Sequence, residues 1–426
     1  MKVLIFTQHF PPETVGTGLI ALDMAESLAG RGHMVTVITG VPNHPSSLGR
    51  PFCQDAPPEE RAPAGYSILR VPVFRSMDPR ALKRVLTYAT FMLSAAWRGA
   101  QQPRPDAILA VSPLPTGLAA LLAHWWHRAP LLFNLQDIWP DSALAIGVMK
   151  RGRLLWALQR LEVFFYRRCA RVVGITEGFK RYLVDLGLEP ERVAVIHNGV
   201  DWEKFARALP NEELRRREQL AGKFVVGYIG NIGLAQRLDT VLEAAQELCH
   251  EPVSFLALGE GVDKPRLMAL AQARGLENVR FLEGVPREQV PSVLAACDAL
   301  LVILRDDPLF NITIPSKIYE YMAAGKPILC SVGGEAAALV VEASCGLPVP
   351  PSDGRALAAS VRRLLADRSL CRAMGEAGAA RARARFARAV LMGAYAELLE
   401  DFSRKRERVT REAGTPLLEE VDFREP

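Results

Sequence analysis

Short apolar runs alternate with helical stretches along this chain, and the alternation begins twice. Val3 to Thr7, Met34 to Thr39, Ile68 to Phe74, Ala107 to Val111, Leu131 to Asn134, Arg171 to Ile175 and Val193 to Ile196 read as strands, with helical segments between most of them. Leu19, Leu22, Ala25 and Leu28 share one helical face, ended by Gly30 and Gly32. A charged stretch from 206 to 223 follows, helical over Asn211 to Gln219 and closed by Gly222. The pattern then restarts, with strands at Phe224 to Ile229, Val253 to Leu258, Val279 to Leu282, Ala299 to Leu304 and Pro327 to Ser331. Leu238 to Leu248 and Pro265 to Ala273 are helical between them. Strands alternating with helices imply parallel sheets covered on both faces. The expected fold is therefore α/β, with two doubly wound Rossmann-like domains facing a cleft, and ligands at the carboxyl ends of the strands.

The expected boundaries are 1–205 for the first domain and 206–385 for the second. A long Ala- and Arg-rich helix is expected from Arg381 to Phe402, and a polar tail over 403–426. Asn43 to Ala64, rich in Pro, Gly and Ser, reads as a loop.

Composition narrows the class. Hydrophobic residues are 49% and charged residues 23%, the balance of a globular protein with a large core. A net charge of +5 is too mild to suggest a nucleic-acid partner. The seven cysteines are scattered and never form C-x-x-C, as expected of reduced thiols in a cytoplasmic protein. Met1 to Phe6 reads as a first strand rather than a signal segment, and the apolar stretch Ala107 to Trp126 is broken by Pro113, Pro115 and Gly117.

The most informative segment runs from Pro315 to Pro327. Pro315 and Ser316 open a helix, with Ser316 expected as its N-cap. Free backbone N–H groups at such an end suit a diphosphate, and Lys317 adds a full positive charge. Glu320, about one turn in, is placed to accept hydroxyl hydrogen bonds from a ribose. The same residues also describe an amphipathic helix with a surface lysine and glutamate. A second phosphate element is Gly230-Asn231-Ile232-Gly233-Leu234-Ala235-Gln236-Arg237, where a glycine turn at a strand end lets backbone approach a phosphate; the alternative is an ordinary strand–helix turn with a surface arginine. Gly259-Glu260-Gly261 is a further turn of this kind. Asp137 and Asp141 follow a buried strand, where a carboxylate can hold a hydroxyl or cap the next helix. His124 and His127 lie three apart without a third metal ligand, which favours packing roles.

From Arg75 to Arg104 the chain carries Arg75, Arg80, Lys83, Arg84, Arg98 and Arg104 against a single acid, Asp78. Leu82, Val85, Leu86, Ala89, Met92, Leu93 and Ala96 form one stripe, extended by Phe91 and Trp97. That profile fits a helix on an anionic membrane surface, and also a core-facing helix with solvated arginines. Arg151 to Arg168 has the same basic, aromatic character.

The Pro315–Pro327 segment resembles the donor-binding motif of the retaining GT-B glycosyltransferases of family 4. Other stretches agree in order: Pro11-Pro12-Glu13 with Gly16-Thr17-Gly18, Gly32-His33, Thr176-Glu177, Ile196-His197-Asn198-Gly199-Val200-Asp201, Gly230-Asn231-Ile232-Gly233, Gly259-Glu260-Gly261 and Val285-Pro286. Gln136-Asp137-Ile138-Trp139-Pro140-Asp141 is similar to the bacterial branch that builds O-antigens, capsules and exopolysaccharides, including N-acetylfucosaminyl- and colanic-acid-type transferases. The resemblance implies a donor of the UDP- or GDP-sugar type and a retained anomeric configuration. It implies transfer of a hexosyl or N-acetylhexosaminyl group to a glycan acceptor, with a polyprenyl-diphosphate-linked glycan as the membrane-borne form. Arg237 and Lys317 would hold the diphosphate, and Asp137 the acceptor. Gly16, Gly18, Gly230, Asn231, Gly259, Glu260, Ser316 and Glu320 would line the donor. The helix at 386–402 would cross back to the first domain. No D-x-D flanked by strand signals is present, so no cofactor or metal is expected; the nucleotide sugar is a substrate. The expected location is the cytoplasm, including the inner face of the cytoplasmic membrane. The family has two glutamates eight apart; here the position eight before Glu320 is Ile312. The shared two-domain architecture keeps a nucleotide-sugar 2-epimerase open as a rival, and the departure at Ile312 keeps open a non-catalytic sugar-nucleotide-binding protein.

Overall fold

Strands such as Ala107–Val111 and Phe224–Ile229 are buried along their whole length. Continuous apolar runs require this, because a parallel sheet flanked by helices has no wet face. The computed structural model describes residues 1–13, 16–42, 57–75, 81–147 and 149–412, without the side chains of 81, 82, 84 and 403–412.

In chain order the first series is β1 (Lys2–Phe6), α1 (Gly16–Gly30), β2 (Met34–Gly40), β3 (Glu59–Arg61), β4 (Ser67–Val71), α2 (Ala81–Ala100), β5 (Ala107–Val111), α3 (Leu114–His127), β6 (Leu131–Leu135), α4 (Asp141–Ala145), α5 (Arg153–Tyr166), β7 (Arg171–Gly174), α6 (Glu177–Asp185) and β8 (Val193–Val195). The strands order as β3-β4-β2-β1-β5-β6-β7-β8, parallel except for the antiparallel β3. β1 pairs with β2 from Lys2↔Met34 to Phe6↔Ile38, and with β5 from Val3↔Ala107. The order reverses at β1, so the loops after β1 and β5 open a crevice at the sheet's carboxyl edge. Alternate side chains feed two cores. Leu4, Phe6 and Phe133 meet Phe91 of α2 and Phe165 of α5 on one face. Val3, Ile5 and Leu109 meet Met24 and Leu28 of α1 on the other.

The second series is α7 (Trp202–Ala206), α8 (Glu212–Arg217), β9 (Phe224–Ile229), α9 (Asp239–Glu247), β10 (Val253–Leu258), α10 (Lys264–Ala273), β11 (Val279–Leu282), α11 (Val290–Ala295), β12 (Ala299–Ile303), α12 (Pro308–Asn311), α13 (Lys317–Ala323), β13 (Ile328–Ser331), α14 (Gly334–Glu342), β14 (Gly346–Pro348), α15 (Gly354–Ala366), α16 (Arg368–Arg381) and α17 (Arg388–Glu412). Its sheet is wholly parallel, ordered β11-β10-β9-β12-β13-β14, and reverses between β9 and β12. Side-chain caps start several helices: Thr176 accepts from Phe179 N, Asn211 from Leu214 N and Asp353 from Ala356 N.

Four expectations change. β3 falls inside the expected Asn43–Ala64 loop, of which 43–56 lie outside the described residues. Val200 and Phe205 already sit in the second domain's core, so the chain has crossed over before residue 206. The helix expected over Arg381–Phe402 is broken by a π-helical turn, Ala382–Phe386, and by extended Ala387 at φ −59°, ψ 132°. The reason is pairing: Val200 N donates to Phe386 O at 2.9 Å, and Arg388 N donates to Val200 O at 3.0 Å. The two chain crossings therefore form one short parallel strap. Finally, α17 continues to Glu412, through residues expected to start the polar tail; 413–426 lie outside the described residues. Leu391, Met392, Tyr395, Ala396 and Leu399 of α17 pack into the first domain's core beside α1 and β1.

The domains also touch at a second point. Thr176 Oγ1 donates to Ile312 O at 2.6 Å, and the Ile312 side chain packs on the first domain's core. Ile312 is thus part of an apolar interdomain contact.

Candidate functional site

The carboxyl ends of the two sheets face one cavity of about 230 Å³. Asp137 and Ile138, after β6, supply the first domain's wall. Ala235 and Gln236 after β9, Leu304 after β12, and Phe310, Thr313 and Lys317 supply the other. Of the residues singled out in the sequence, Asp137 and Lys317 are brought together here from opposite domains.

Lys317 opens α13 with its ammonium 3.9 Å from the centre of the Tyr228 ring. The Tyr228 hydroxyl donates to Asn231 O at 2.5 Å, tying this ring to the loop after β9. Loss of solvent pulls the Lys317 ammonium down from 10.5 to about 7, and the nearby Glu320 charge opposes this. Gly230 beside it has φ +141°, and a Cβ there would lie 2.9 Å from Lys317 Nζ. Gly259, at φ +146°, is tighter still: a Cβ would lie 1.9 Å from Gly230 O. Only glycine allows this approach. It lets the two loops lock together, Gly230 N donating to Leu258 O at 2.9 Å and Ile232 N to Glu260 O at 2.8 Å.

Glu260 is half exposed and accepts from Lys264 Nζ at 3.0 Å and Gly284 N at 3.2 Å. Glu320 accepts from Arg287 Nη2 at 2.7 Å. The rest of α13 is pinned in the core, with Tyr321 OH bonded to both N and O of Ile229.

One expectation about this wall is corrected. Ser316 occupies the N-cap position of α13 but is itself helical, at φ −57°, ψ −27°, and its hydroxyl makes no cap bond. A true cap has extended backbone, which turns its oxygen towards the free N–H groups. Arg237 is exposed at the tip of its loop with φ +45°, and Gln236 rather than Arg237 lines the cavity.

On the facing wall Asp137 accepts from Ser142 Oγ at 3.0 Å. Water reaches its carboxylate through the cleft, but the flanking domains displace bulk solvent, and this desolvation raises its carboxyl above the usual range. The bonds from Ser142 and from the Ile138 backbone oppose the shift. Asp141 does not cap α4. It accepts from Gln159 Nε2 at 2.6 Å and Tyr182 OH at 2.5 Å. Behind both lies Glu162, buried, bonded by Tyr166 OH and pushed up to about 8 by desolvation, with Asp141 and Asp137 adding to the rise. Gly16 and Gly18 begin α1 at the same carboxyl edge; a Cβ on Gly18 would lie 2.8 Å from His9 O, while Gly16 is open. His124 and His127 bond the carbonyls of Ala129 and Gly99, which are packing roles.

The basic helix α2 divides differently from the expected stripe. Phe91, Ala95 and Ala96 are buried, whereas Val85, Leu86, Leu93 and Trp97 are exposed. Leu122, Trp125 and Trp126 of α3 and Leu154, Trp156 and Phe164 of α5 are exposed as well. α2 packs on α3 and α3 on α5, so these side chains belong to one helical layer. Arg160 lies 5.1 Å over Trp156 and Arg168 4.7 Å over Phe164. Arg80 and the side chain of Arg84 lie outside the described residues.

Arg287 and Gln236 carried no assigned role in the sequence. The available signal for Arg287 is its place directly after Val285-Pro286, just beyond the carboxyl end of β11.

Residues 15–199 match the glycosyl transferase 4-like domain, and residues 210–381 match the glycosyl transferases group 1. The putative colanic acid biosynthesis glycosyl transferase WcaI of Escherichia coli (strain K12) is 30% identical over 338 residues, covering 76% of this chain and 82% of that one. A GDP-mannose-dependent alpha-mannosyltransferase of Mycobacterium tuberculosis (strain CDC 1551 / Oshkosh) is 25% identical over 350 residues, 82% of this chain and 84% of its own. The crystal structure of Anabaena Alr3699/HepE in complex with UDP-glucose superposes with a TM-score of 0.71 at 19% identity, over 94% of this chain and all of that one; at this identity the likeness is one of fold.

Proposed function

The chain belongs to the group 1 glycosyl transferases, with a glycosyl transferase 4-like amino-terminal domain, and from that premise we propose that it transfers a sugar from a nucleoside diphosphate to a glycan acceptor with retention of configuration. One observation supports this most: a lysine packed against a glycine turn faces a carboxylate across a cavity between the carboxyl ends of two sheets. In this reading Lys317, Arg237 and the backbone of Gly230-Asn231 hold the departing diphosphate. Glu320 receives the ribose, and Gly259-Glu260 flank it. Gly16 and Gly18 approach the sugar-diphosphate from the other domain, with Ser316 beside Lys317.

The chemistry asked of the protein is positioning and charge stabilisation. The leaving phosphate oxygen takes the acceptor proton on the same face as the bond it vacates, so no separate protein base is needed. The relatives with GDP-mannose and UDP-glucose in their names support a nucleoside diphosphate donor and leave the base open.

We further propose that the acceptor is carried by a lipid diphosphate and that the α2–α3–α5 layer rests on an anionic bilayer. Trp97 and Trp126 are 70% and 72% exposed, and arginines lie over the neighbouring rings. Such a face fits the headgroup region, where aromatic rings and cations are both favoured. No helix among the described residues is long and apolar enough to cross a membrane.

The test is a thermal-shift panel of UDP- and GDP-sugars, followed by turnover of the stabilising sugar with and without acceptor. Transfer only with acceptor supports the reading. Epimer formation without acceptor would favour an epimerase instead.

A further inference from the structure

Glu320 is poised by a second side chain. Among the described residues its hydrogen-bond partner is Arg287, whose Nη2 donates to Oε1 at 2.7 Å, while Oε2 accepts nothing. Both ends of the pair are fixed. Arg287 begins a tight turn, Arg287–Gln289, set by Pro286 at φ −51°, ψ 145° and closed by Gln289 N donating to Pro286 O at 2.9 Å. Glu320 stands on α13, whose Ile318, Tyr319, Tyr321 and Met322 are buried. The pair is 36% and 20% exposed, and ion pairs so open to water add little to stability. A stability role is therefore a poor account of it.

A carboxylate offers about four lone-pair directions over its two oxygens. Arg287 uses one of them. We propose that Arg287 is a positioning residue for the donor: it fixes the rotation of the Glu320 carboxylate so that its remaining lone pairs meet the two ribose hydroxyls. This rests on the reading of Glu320 as the ribose ligand. The ordering cost of the glutamate is met before the nucleotide arrives, so more of the hydroxyl bonding appears as affinity.

The experiment titrates UDP and GDP, each beside its 2′,3′-dideoxy form, against the full chain and its Arg287→Ala, Arg287→Lys and Glu320→Ala variants. The parent is expected to prefer the better ribonucleotide over its dideoxy form by about tenfold or more, the size of a charged hydrogen bond. Arg287→Ala should lose most of that preference while binding the dideoxy form within about twofold of the parent, and Arg287→Lys should recover part of it. A general loosening of the site would weaken both forms equally and overturn the proposal. Tighter ribonucleotide binding in Arg287→Ala would also overturn it, by showing that arginine competes with ribose. If Glu320→Ala loses the preference and Arg287→Ala keeps it, the positioning role alone fails. If the parent or Glu320→Ala shows no ribose dependence of its own, the ribose reading fails and takes the positioning role with it.

Discussion

Asp137 and Lys317 face one cavity from opposite domains, and the same loss of solvent moves them in opposite directions, the carboxyl up and the ammonium down. Desolvation in the cleft disfavours both charged forms. A diphosphate beside Lys317 and a hydroxyl beside Asp137 would each relieve one of these penalties.

Lys317 makes the trade measurable. The unfolded chain keeps this proton to about 10.5 and the folded protein releases it near 7. Between those values the unfolded state binds more protons, so stability rises with pH. Lys317→Met is expected to melt higher than the parent below about pH 7, with the advantage fading towards 10.5. The same variant should bind the nucleotide at least about tenfold more weakly, as expected for a lost charged contact. Calorimetry in buffers of different ionisation enthalpy should show proton uptake on binding above pH 7. Binding without uptake would remove Lys317 from the phosphate site.

Turnover should persist in excess EDTA. The charge on the leaving diphosphate is assigned to Lys317, Arg237 and backbone N–H groups, and Asp306-Asp307 runs into Pro308 without the D-x-D pattern. Loss of activity in chelator, regained with Mg²⁺ or Mn²⁺, would overturn the assignment.

Vesicle flotation should show binding to anionic lipid that falls with added salt, because Debye screening shortens the reach of the arginines. Replacing Trp97, Trp126 and Trp156 together with Ser should reduce binding by about tenfold or more, given the apolar area withdrawn. Replacing Lys83 and Arg98 with Gln should reduce mainly its salt dependence. Equal partitioning to neutral and anionic vesicles would reject the docking face.

The acceptor prediction is a comparison of rates. A glycan on polyprenyl diphosphate should turn over far faster than the same glycan released from lipid. Equal rates would discard the lipid carrier and leave the donor chemistry standing.

The parallel strands were readable because each is a short run of residues with no polar face, as in Ala107–Val111. β3 was not, since Glu59–Arg61 is charged and exposed and takes its place only by pairing with β4. The break at Ala387 was hidden for a related reason: its cause is Val200, far away in sequence. In the site, Gly230, Gly259 and Lys317 carry local signatures of turn and helix end. Arg287 is marked only by following Val285-Pro286, because its importance arises from Glu320, 33 residues on. Ser316 misleads for the opposite reason, having the right residue type for a cap but a helical backbone that leaves its hydroxyl without a cap bond.

The placement of α17 sets an order of events in synthesis. Leu391, Tyr395 and Leu399 complete the face of the first sheet that β1 and α1 begin. A nascent chain leaving the ribosome has all its early strands long before it has that helix. The domain made first is thus finished last, and its α1 face stays greasy and unsealed while the entire second domain is being translated.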